Sequence, residues 1–197
     1  GVNEYIAKRL VRQRDYFGPL MLQHGDTDAL IVGYSKNYRT VLRPVLEIIE
    51  KAKGVDKIAS MMMILSDKKP YFFADTSIHV NPTPEEMANI AKMAEYAIKS
   101  FAIQPRIAML SYENFSANSE TSKKVAKAVE ILHQKYPNMI VDGEIQPDFA
   151  MDADQLRDYP FSKLGDTPAN TFIFPNLESA NLSYKIIRGM KVAQVVG

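Results

Sequence analysis

Short, continuous apolar runs alternate along this chain with stretches whose apolar residues recur at helical spacing. Continuous runs are typical of strands covered by helices on both faces, and the recurrence is typical of amphipathic helices. This alternation predicts an α/β fold, a three-layer sandwich with a mostly parallel sheet. The strand candidates are Ala29–Val32, Ile58–Leu65, Tyr71–Ala74, Arg106–Leu110, Met139–Val141, Thr171–Phe174 and Val192–Val196.

The helical stretches carry start and stop signals. One begins at Thr83, where a capping hydroxyl is followed by a proline and then by Glu86, the pattern of a capping box. A second helix stops before Pro137, and a third follows Asn176 as its N-cap. These signals fix where the helices should begin and end between the predicted strands.

A fourth helical stretch divides the chain. Its apolar residues run from Val41 to Ala52 and stop at Gly54, and the main group of strands follows. We therefore predict a partial first lobe over residues 1–54 and a second α/β lobe over residues 55–197.

Composition excludes several classes of protein. The 197 residues carry a formal net charge of +1 and no cysteine, so neither a nucleic-acid footprint nor a thiolate chemistry is indicated. No apolar run approaches the roughly 20 residues that a membrane span requires. The sequence contains no G-x-G-x-x-G, G-x-x-x-x-G-K or G-x-S-x-G motif, which leaves a self-contained nicotinamide, ATP or lipase-like site unsupported.

Polar side chains stand where the predicted strands end: Asp75, Ser111, Asp142 and Glu144. Ligands of open α/β sheets bind at the carboxyl ends of strands, so these residues are candidate ligand groups. The same residue types also cap helices and close turns, and that role stays open. The two neighbouring carboxylates would point to one side of a strand, but no histidine lies nearby in sequence, which disfavours a metal site.

An arginine followed by a proline, Arg43 and Pro44, opens the predicted fourth helix. The N–H groups at a helix start point outward unpaired, and the helix dipole favours negative charge there. Ser35, Lys36 and Asn37 add a hydroxyl, a cation and an amide just before it. This arrangement predicts a site for an anionic ligand, with a surface arginine as the open alternative.

Several motifs follow one another along the chain: F-A-D with N-P-x-P, P-R-x-A-M-L-S, V-D-G-E, and F-P-x-L-x-x-x-N-x-x-Y-K, whose asparagine is Asn181. In order and spacing they resemble the phosphate acetyl/butyryltransferase family over essentially the whole chain. Within that family the chain is most similar to the carboxyl-terminal domain of hybrid NADP-dependent malic enzymes. The pair Asn114-Phe115 and the run Phe174-Pro175-Asn176-Leu177 favour that branch.

The resemblance implies an isocitrate/isopropylmalate dehydrogenase-like (phosphotransacetylase) fold, in which two α/β lobes enclose a cleft for acyl phosphate and coenzyme A. In active members a loop reads His-Ser-Thr where this chain reads Lys36-Asn37-Tyr38, so hydroxyls that bind the phosphoryl group are replaced. The resemblance also implies an opening lobe and a later Ser-Arg-Gly segment, and we expect a fragment truncated at both ends. The expected cleft residues are Arg43, Ser35, Lys36, Asn37, Asp75, Ser111, Asp142, Glu144 and Asn181.

The resemblance leaves three functions open. The first, which we favour, is a regulatory and oligomerisation module that senses acetyl-CoA or a related acyl metabolite. Its parent malic enzyme would decarboxylate malate oxidatively to pyruvate with NADP and a divalent metal, Mg or Mn. The segment itself would hold no cofactor, metal or catalytic residue, and we expect no measurable acetyl transfer from it.

The alternative is an active phosphate acetyltransferase, which converts acetyl phosphate and coenzyme A to acetyl-CoA and phosphate. The third function is a structural dimerisation domain with a vestigial cleft. We further expect a cytoplasmic homo-oligomer, linked to the rest of a malic enzyme chain, with no nucleic-acid or membrane partner.

Overall fold

The computed structural model of the protein describes residues 2–33, 36–51, 57–66 and 69–197. Two compact units make up the chain, Gly1–Lys57 and Ile58–Gly197. The predicted boundary at residue 54 lies outside the described residues. No helix in the described ranges is both long enough and apolar enough to cross a membrane.

The first unit is helical. It contains α1 (Glu4–Val11), α2 (Arg14–His24) and α3 (Tyr38–Ile48). Asn3 caps the start of α1 by accepting a hydrogen bond from a backbone N–H, and Gly25 ends α2 in the left-handed conformation, with φ of 82°. The sequence patterns above predict neither α1 nor α2.

The prediction of a strand at Ala29–Val32 is wrong, because this segment has no regular secondary structure. Ile31 is 98% exposed and Val32 is 43% exposed, so the first unit does not bury the apolar run. A short apolar run becomes a strand only where a neighbouring strand and a core take it up.

The position of Arg43 in its helix also differs from the prediction. α3 begins after Asn37, whose side-chain oxygen accepts a hydrogen bond from Thr40 N at 3.0 Å. Arg43 and Pro44 therefore lie inside the helix and do not open it. The Asn37 amide decides the start, since its oxygen accepts a hydrogen bond from a backbone N–H of the first turn, which Pro44, seven residues later, cannot do.

The second unit is built on one six-stranded sheet, with the order β4-β3-β5-β2-β1-β6. The first four strands in this order run parallel to one another, whereas β1 pairs antiparallel with both β2 and β6. The mostly parallel sheet is thus confirmed, with an antiparallel edge. The strands are β1 Met61–Ser66, β2 Lys69–Ala74, β3 Ile107–Leu110, β4 Val141–Ile145, β5 Thr171–Ile173 and β6 Gln194–Val196.

Helices cover both faces of this sheet and complete the predicted three-layer sandwich. In β3, Ile107 and Met109 enter the core on one face, and Ala108 and Leu110 enter the core on the other. All of them are at most 3% exposed, which explains why the strand reads as an unbroken apolar run. The helices are α4 Pro84–Lys99 and α5 Glu120–Lys135 on the first face, and α6 Pro147–Ala150, α7 Ala153–Leu156 and α8 Leu177–Met190 on the second.

The longer helices of this unit follow their capping signals. At α4, Thr83 N donates to the Glu86 carboxylate at 2.8 Å and the Thr83 hydroxyl accepts from Glu86 N, so the predicted capping box is confirmed. The Asn176 side chain accepts from Ser179 N at 2.9 Å at the start of α8. Since α4, α5 and α8 each follow a parallel strand, their amino ends lie at the carboxyl edge of the sheet.

A glycine in β4 tests how tightly the sheet is packed. Gly143 has φ of +143°, and a Cβ added there would lie 2.3 Å from the carbonyl oxygen of Met109. We expect Gly143→Ala to lower the free energy of unfolding by about 2–4 kcal/mol through backbone strain and overpacking. Urea unfolding measures the change.

The matched control is Gly189→Ala in α8, where an added Cβ meets nothing within 4 Å. We expect it to stabilise the protein by about 0.5–1 kcal/mol, because alanine favours the helix over glycine. Equal effects at the two positions would contradict the packing derived for Gly143.

Candidate active site

The order in which successive strands join the sheet changes direction between β3 and β5. From β3 the chain continues to β4, which lies on one side of β3. From β5 it continues to β6, which lies on the other side of the sheet, beyond β2 and β1. The helix that follows β3 lies on one face of the sheet and the helix that follows β5 lies on the opposite face. A crevice opens at the carboxyl ends of strands at such a switch point, and it is the usual ligand site of open α/β sheets.

A cavity of about 490 Å³ occupies this position. Its walls come from the ends of β3, β4 and β5 and from the first turns of α5 and α8. This volume suits a small organic ligand. The residues around it are Leu110, Ser111, Tyr112, Thr121, Gln146, Pro147, Phe174, Pro175, Asn176, Ser179 and Ser183. We call this cavity the switch-point pocket.

The switch-point pocket combines hydroxyl groups with an apolar surface. Ser111, Thr121 and Ser179 supply hydroxyls, while Leu110 and Phe174 supply apolar wall. None of the described residues around it carries a charged side chain. The amino ends of α5 and α8 add partial positive charge. The pocket therefore suits a ligand with an anionic end and an apolar end.

A chain of hydroxyls fixes the orientation of Ser111. Its Oγ lies 2.8 Å from Ser122 Oγ, which in turn accepts a hydrogen bond from Ser119 Oγ at 2.9 Å. Ser122 is fully buried and Ser111 is 7% exposed. Ser119 also caps α5 by accepting from Ser122 N at 3.1 Å, so the hydroxyl chain is anchored to the helix start.

Lys124 brings a cation close to the pocket wall. Its ammonium group donates to the carbonyl oxygen of Pro175 at 2.7 Å and to Asn81 Oδ1 at 2.7 Å. Burial lowers the pKa of Lys124 below its ordinary value of 10.5. The contact ties α5 to the start of α8, and it places positive charge behind Pro175.

Asp75 holds together the turn that follows β2. It is 3% exposed, and its carboxylate accepts hydrogen bonds from Ser60, from Ser77 N at 3.0 Å, from Ile78 N at 3.1 Å and from His79 N at 2.9 Å. His79 Nδ1 lies 2.5 Å from the same carboxylate. Burial alone would raise the pKa of Asp75, but these hydrogen bonds, led by that of Ser60, outweigh it and hold the pKa below 3.8.

The carboxylates of Glu144 and Asp142 engage two different loops. Glu144 Oε1 accepts from Ser116 N at 2.6 Å and from Ala117 N at 2.7 Å. Asp142 Oδ2 accepts from Lys163 N at 2.7 Å. Each carboxylate satisfies backbone donors of a loop, the role that the sequence left open for them. Their direct contact with a ligand stays a prediction.

Asn181 and Ser111 take different positions. The Asn181 side chain donates to the carbonyl oxygen of Thr76 at 3.3 Å, which links α8 to the turn after β2. Of the predicted site residues that the structure describes, only Ser111 lines the switch-point pocket. Within the described residues, no group of three or more His, Asp or Glu side chains is arranged to hold a metal ion.

The predicted site residues of the first unit are engaged within that unit. Arg43 Nε donates to Glu47 at 2.7 Å, and Lys36 forms an ion pair with Asp15. Asn37 caps α3 as described above. Ser35, also predicted, lies outside the described residues.

The sequence patterns missed most of the pocket wall, including Tyr112, Thr121, Gln146, Ser179 and Ser183. The sequence candidates lay at the ends of predicted strands, whereas Thr121, Pro147 and Ser179 come from the first turns of helices. Hydroxyls one to three residues after the caps Ser119 and Asn176 were the available signal.

Comparison with known proteins defines the class. The family model described as phosphate acetyl/butaryl transferase matches residues 1–197. The chain belongs to this family.

Its relatives include two kinds of enzyme. It is 35% identical over 197 residues to the phosphate acetyltransferase of Bacillus subtilis, covering 98% of this chain and 60% of the relative. It is 34% identical over 200 residues to the NADP-dependent malic enzyme of Haemophilus influenzae, covering 100% of this chain and 26% of the relative. The chain thus spans at most about 60% of the length of these relatives.

Solved structures agree with the family. A phosphotransacetylase from Staphylococcus aureus superposes with a TM-score of 0.88 at 31% identity, covering 100% of this chain and 61% of that one. A phosphotransacetylase from Streptococcus pyogenes gives a TM-score of 0.88 at 32% identity, covering 97% and 59%. The predicted phosphotransacetylase fold is therefore confirmed.

The hydrogen bonds of Asp75 predict a pH-dependent stability. Because its folded pKa lies below 3.8, its contribution is complete above that value and is lost as the pH falls through the folded pKa. We expect Asp75→Asn to cost about 2–3 kcal/mol in urea unfolding at pH 7, where charged hydrogen bonds are lost. The gap to the wild type should narrow below about pH 4.

Asp154→Asn is the control, since this carboxylate is 83% exposed and forms a surface ion pair with Arg157. We expect a change within about 0.5 kcal/mol at every pH. A gap for Asp75→Asn that is the same at pH 7 and pH 3 would contradict the role given to its charge.

Proposed function

We propose that the protein transfers an acetyl group between phosphate and coenzyme A. The observation that supports this most directly is the match to phosphate acetyltransferases, at 35% identity over 98% of the chain. The switch-point pocket adds to it, because its hydroxyl and apolar walls suit an acyl phosphate. This is the alternative named above, and it is better supported than the favoured regulatory module.

The reaction forms one bond and breaks another. The thiol of coenzyme A loses its proton to a base, and the sulfur then attacks the carbonyl carbon of acetyl phosphate. The new C–S bond produces a tetrahedral intermediate with negative charge on the former carbonyl oxygen. When that intermediate collapses, the C–O bond to phosphorus breaks and phosphate leaves with the electron pair.

The charges of this reaction fit the surroundings of the switch-point pocket. Negative charge lies on the phosphoryl group throughout and on the carbonyl oxygen in the intermediate. Hydroxyl donors such as Ser111 and Thr121, together with the amino ends of α5 and α8, stabilise such charge. Leu110 and Phe174 would pack against the acetyl methyl group or the apolar part of coenzyme A.

Ser111→Ala tests the pocket. We expect kcat/KM for acetyl-CoA formation to fall about 10- to 100-fold, the range for a lost hydrogen bond to a charged group. The measurement is thioester formation from acetyl phosphate and coenzyme A, with unfolding curves to show that the variant is folded.

Ser100→Ala is the matched control, because Ser100 is the C-cap of α4 and its hydroxyl donates to Ala97 O, away from the pocket. We expect unchanged turnover. If the wild-type protein forms no thioester, the proposed acetyl transfer is wrong. If Ser111→Ala keeps full activity, the switch-point pocket is not the site of the reaction.

A regulatory module of a malic enzyme is the second candidate, and the match to malic enzymes at 34% identity supports it. The replacement of His-Ser-Thr by Lys36-Asn37-Tyr38 supports it as well. If acetyl-CoA raises the thermal unfolding midpoint of the protein and the protein shows no acetyl transfer, the regulatory module is favoured. Turnover that Arg43→Ala abolishes would favour the transferase.

A further inference from the structure

A second cavity, of about 320 Å³, lies at the opposite edge of the sheet from the switch-point pocket. It is formed by the last two turns of α4, the end of α5 and the segment that leads into the amino end of β4. The residues around it are Lys92, Glu95, Lys99, Lys135, Tyr136, Pro137, Asn138 and Met139. We call it the lysine cavity.

A buried carboxylate organises the lysine cavity. Glu95 is 6% exposed, and its two carboxylate oxygens accept separate hydrogen bonds from Lys92 Nζ and Lys99 Nζ, each at 2.7 Å. Burial alone would raise the pKa of Glu95, but the bonds from the two lysines outweigh it and hold the pKa below 4.5. The charged carboxylate therefore keeps two ammonium groups side by side.

The two ammonium groups keep donors for a further partner. An ammonium has three N–H donors, and Glu95 takes one from each lysine. Lys92 Nζ also lies 4.7 Å from the centroid of the Tyr136 ring, which fixes its position further. The side chains of Lys92 and Lys99 are 42% and 54% exposed, so the remaining donors are accessible.

The charge around the lysine cavity is unbalanced. Three lysines, Lys92, Lys99 and Lys135, face one carboxylate, so 3 − 1 leaves a charge of +2. Within the described ranges, Lys135 has no ion-pair partner. A lysine in a last helical turn offsets the helix dipole, which explains its presence there. The dipole does not require three of them to meet around one cavity.

We propose that the lysine cavity binds a small anion that carries a phosphate group, at a site separate from the acetyl-transfer pocket. A phosphate monoester carries about −1.5 to −2 charges at neutral pH and several acceptor oxygens, which matches two excess cations with free donors. A volume of 320 Å³ is at the low end for ligand sites, so the ligand is small.

Inorganic phosphate, titrated at low ionic strength into the ¹⁵N-labelled protein, is the probe. We expect the backbone amide signals of residues 135, 136, 138 and 139 to shift saturably. In Lys99→Gln/Lys135→Gln we expect the apparent Kd at these signals to rise at least tenfold. Both side chains are at the surface, so the variant should remain folded.

Lys123→Gln/Lys127→Gln is the matched control. It removes the same charge from exposed positions of α5 outside the lysine cavity, where these lysines pair with Glu120 and Glu130. We expect its Kd to stay within twofold of the wild type. Shifts that do not saturate, or an equal loss in both variants, would overturn the site.

Phosphate that binds in the switch-point pocket reports at other signals, chiefly the amides of Ser111 and Thr121. The two sites are therefore read separately in one titration. Failure at residues 135–139 leaves the proposed acetyl transfer untouched, and absence of turnover leaves the lysine cavity untouched.

Discussion

Burial of β3 on both faces is the constraint on which the second unit depends. Ile107 to Leu110 are each at most 3% exposed, so this strand has no surface on which to carry a polar group. Its polar neighbours, such as Ser111, are displaced to its carboxyl end. There the reversal of strand order between β3 and β5 opens a crevice, and the amino ends of α5 and α8 meet it. Position and polarity of the site follow from the same packing.

Three buried carboxylates of the second unit are chiefly loop anchors. A charge that leaves water must be paired or hydrogen-bonded, and Asp75, Asp142 and Glu144 meet this need with backbone N–H groups of neighbouring loops. The loops that contain His79, Ser116 and Lys163 are thereby held in place. The pocket itself presents hydroxyls, and none of its described residues carries a charged side chain.

The switch-point pocket and the lysine cavity differ because the fold gives different chemistry to the two edges of the sheet. At the carboxyl edge, helix starts leave N–H groups and capping hydroxyls. At the amino edge, helix ends leave carbonyl groups, and lysines such as Lys99 and Lys135 accumulate there. The Glu95 carboxylate pairs with both Lys92 and Lys99 and holds their ammonium groups side by side.

The sequence predicted the α/β sandwich, the mostly parallel sheet and the capping box at Thr83, because continuous apolar runs and capping residues act locally. It was wrong about Ala29–Val32, since a run of apolar residues says nothing about whether a core exists to receive it. It placed Arg43 at a helix start that Asn37 in fact defines. Both errors depend on the surrounding residues and their packing, which a local sequence pattern does not contain.

By itself, then, the sequence determined the family, the layer order and the polar residues that follow β2 and β3, but Asp142 and Glu144, predicted to follow a strand, lie within β4. Only the tertiary structure decided which of those groups face a cavity and which hold loops. It brought Ser179 to the same pocket as Ser111 and Thr121, and it brought Lys92 and Lys135 to another cavity. The reason is physical: a hydrogen-bonding group satisfies whichever partner the packing brings within about 3 Å, and that partner is set by the fold.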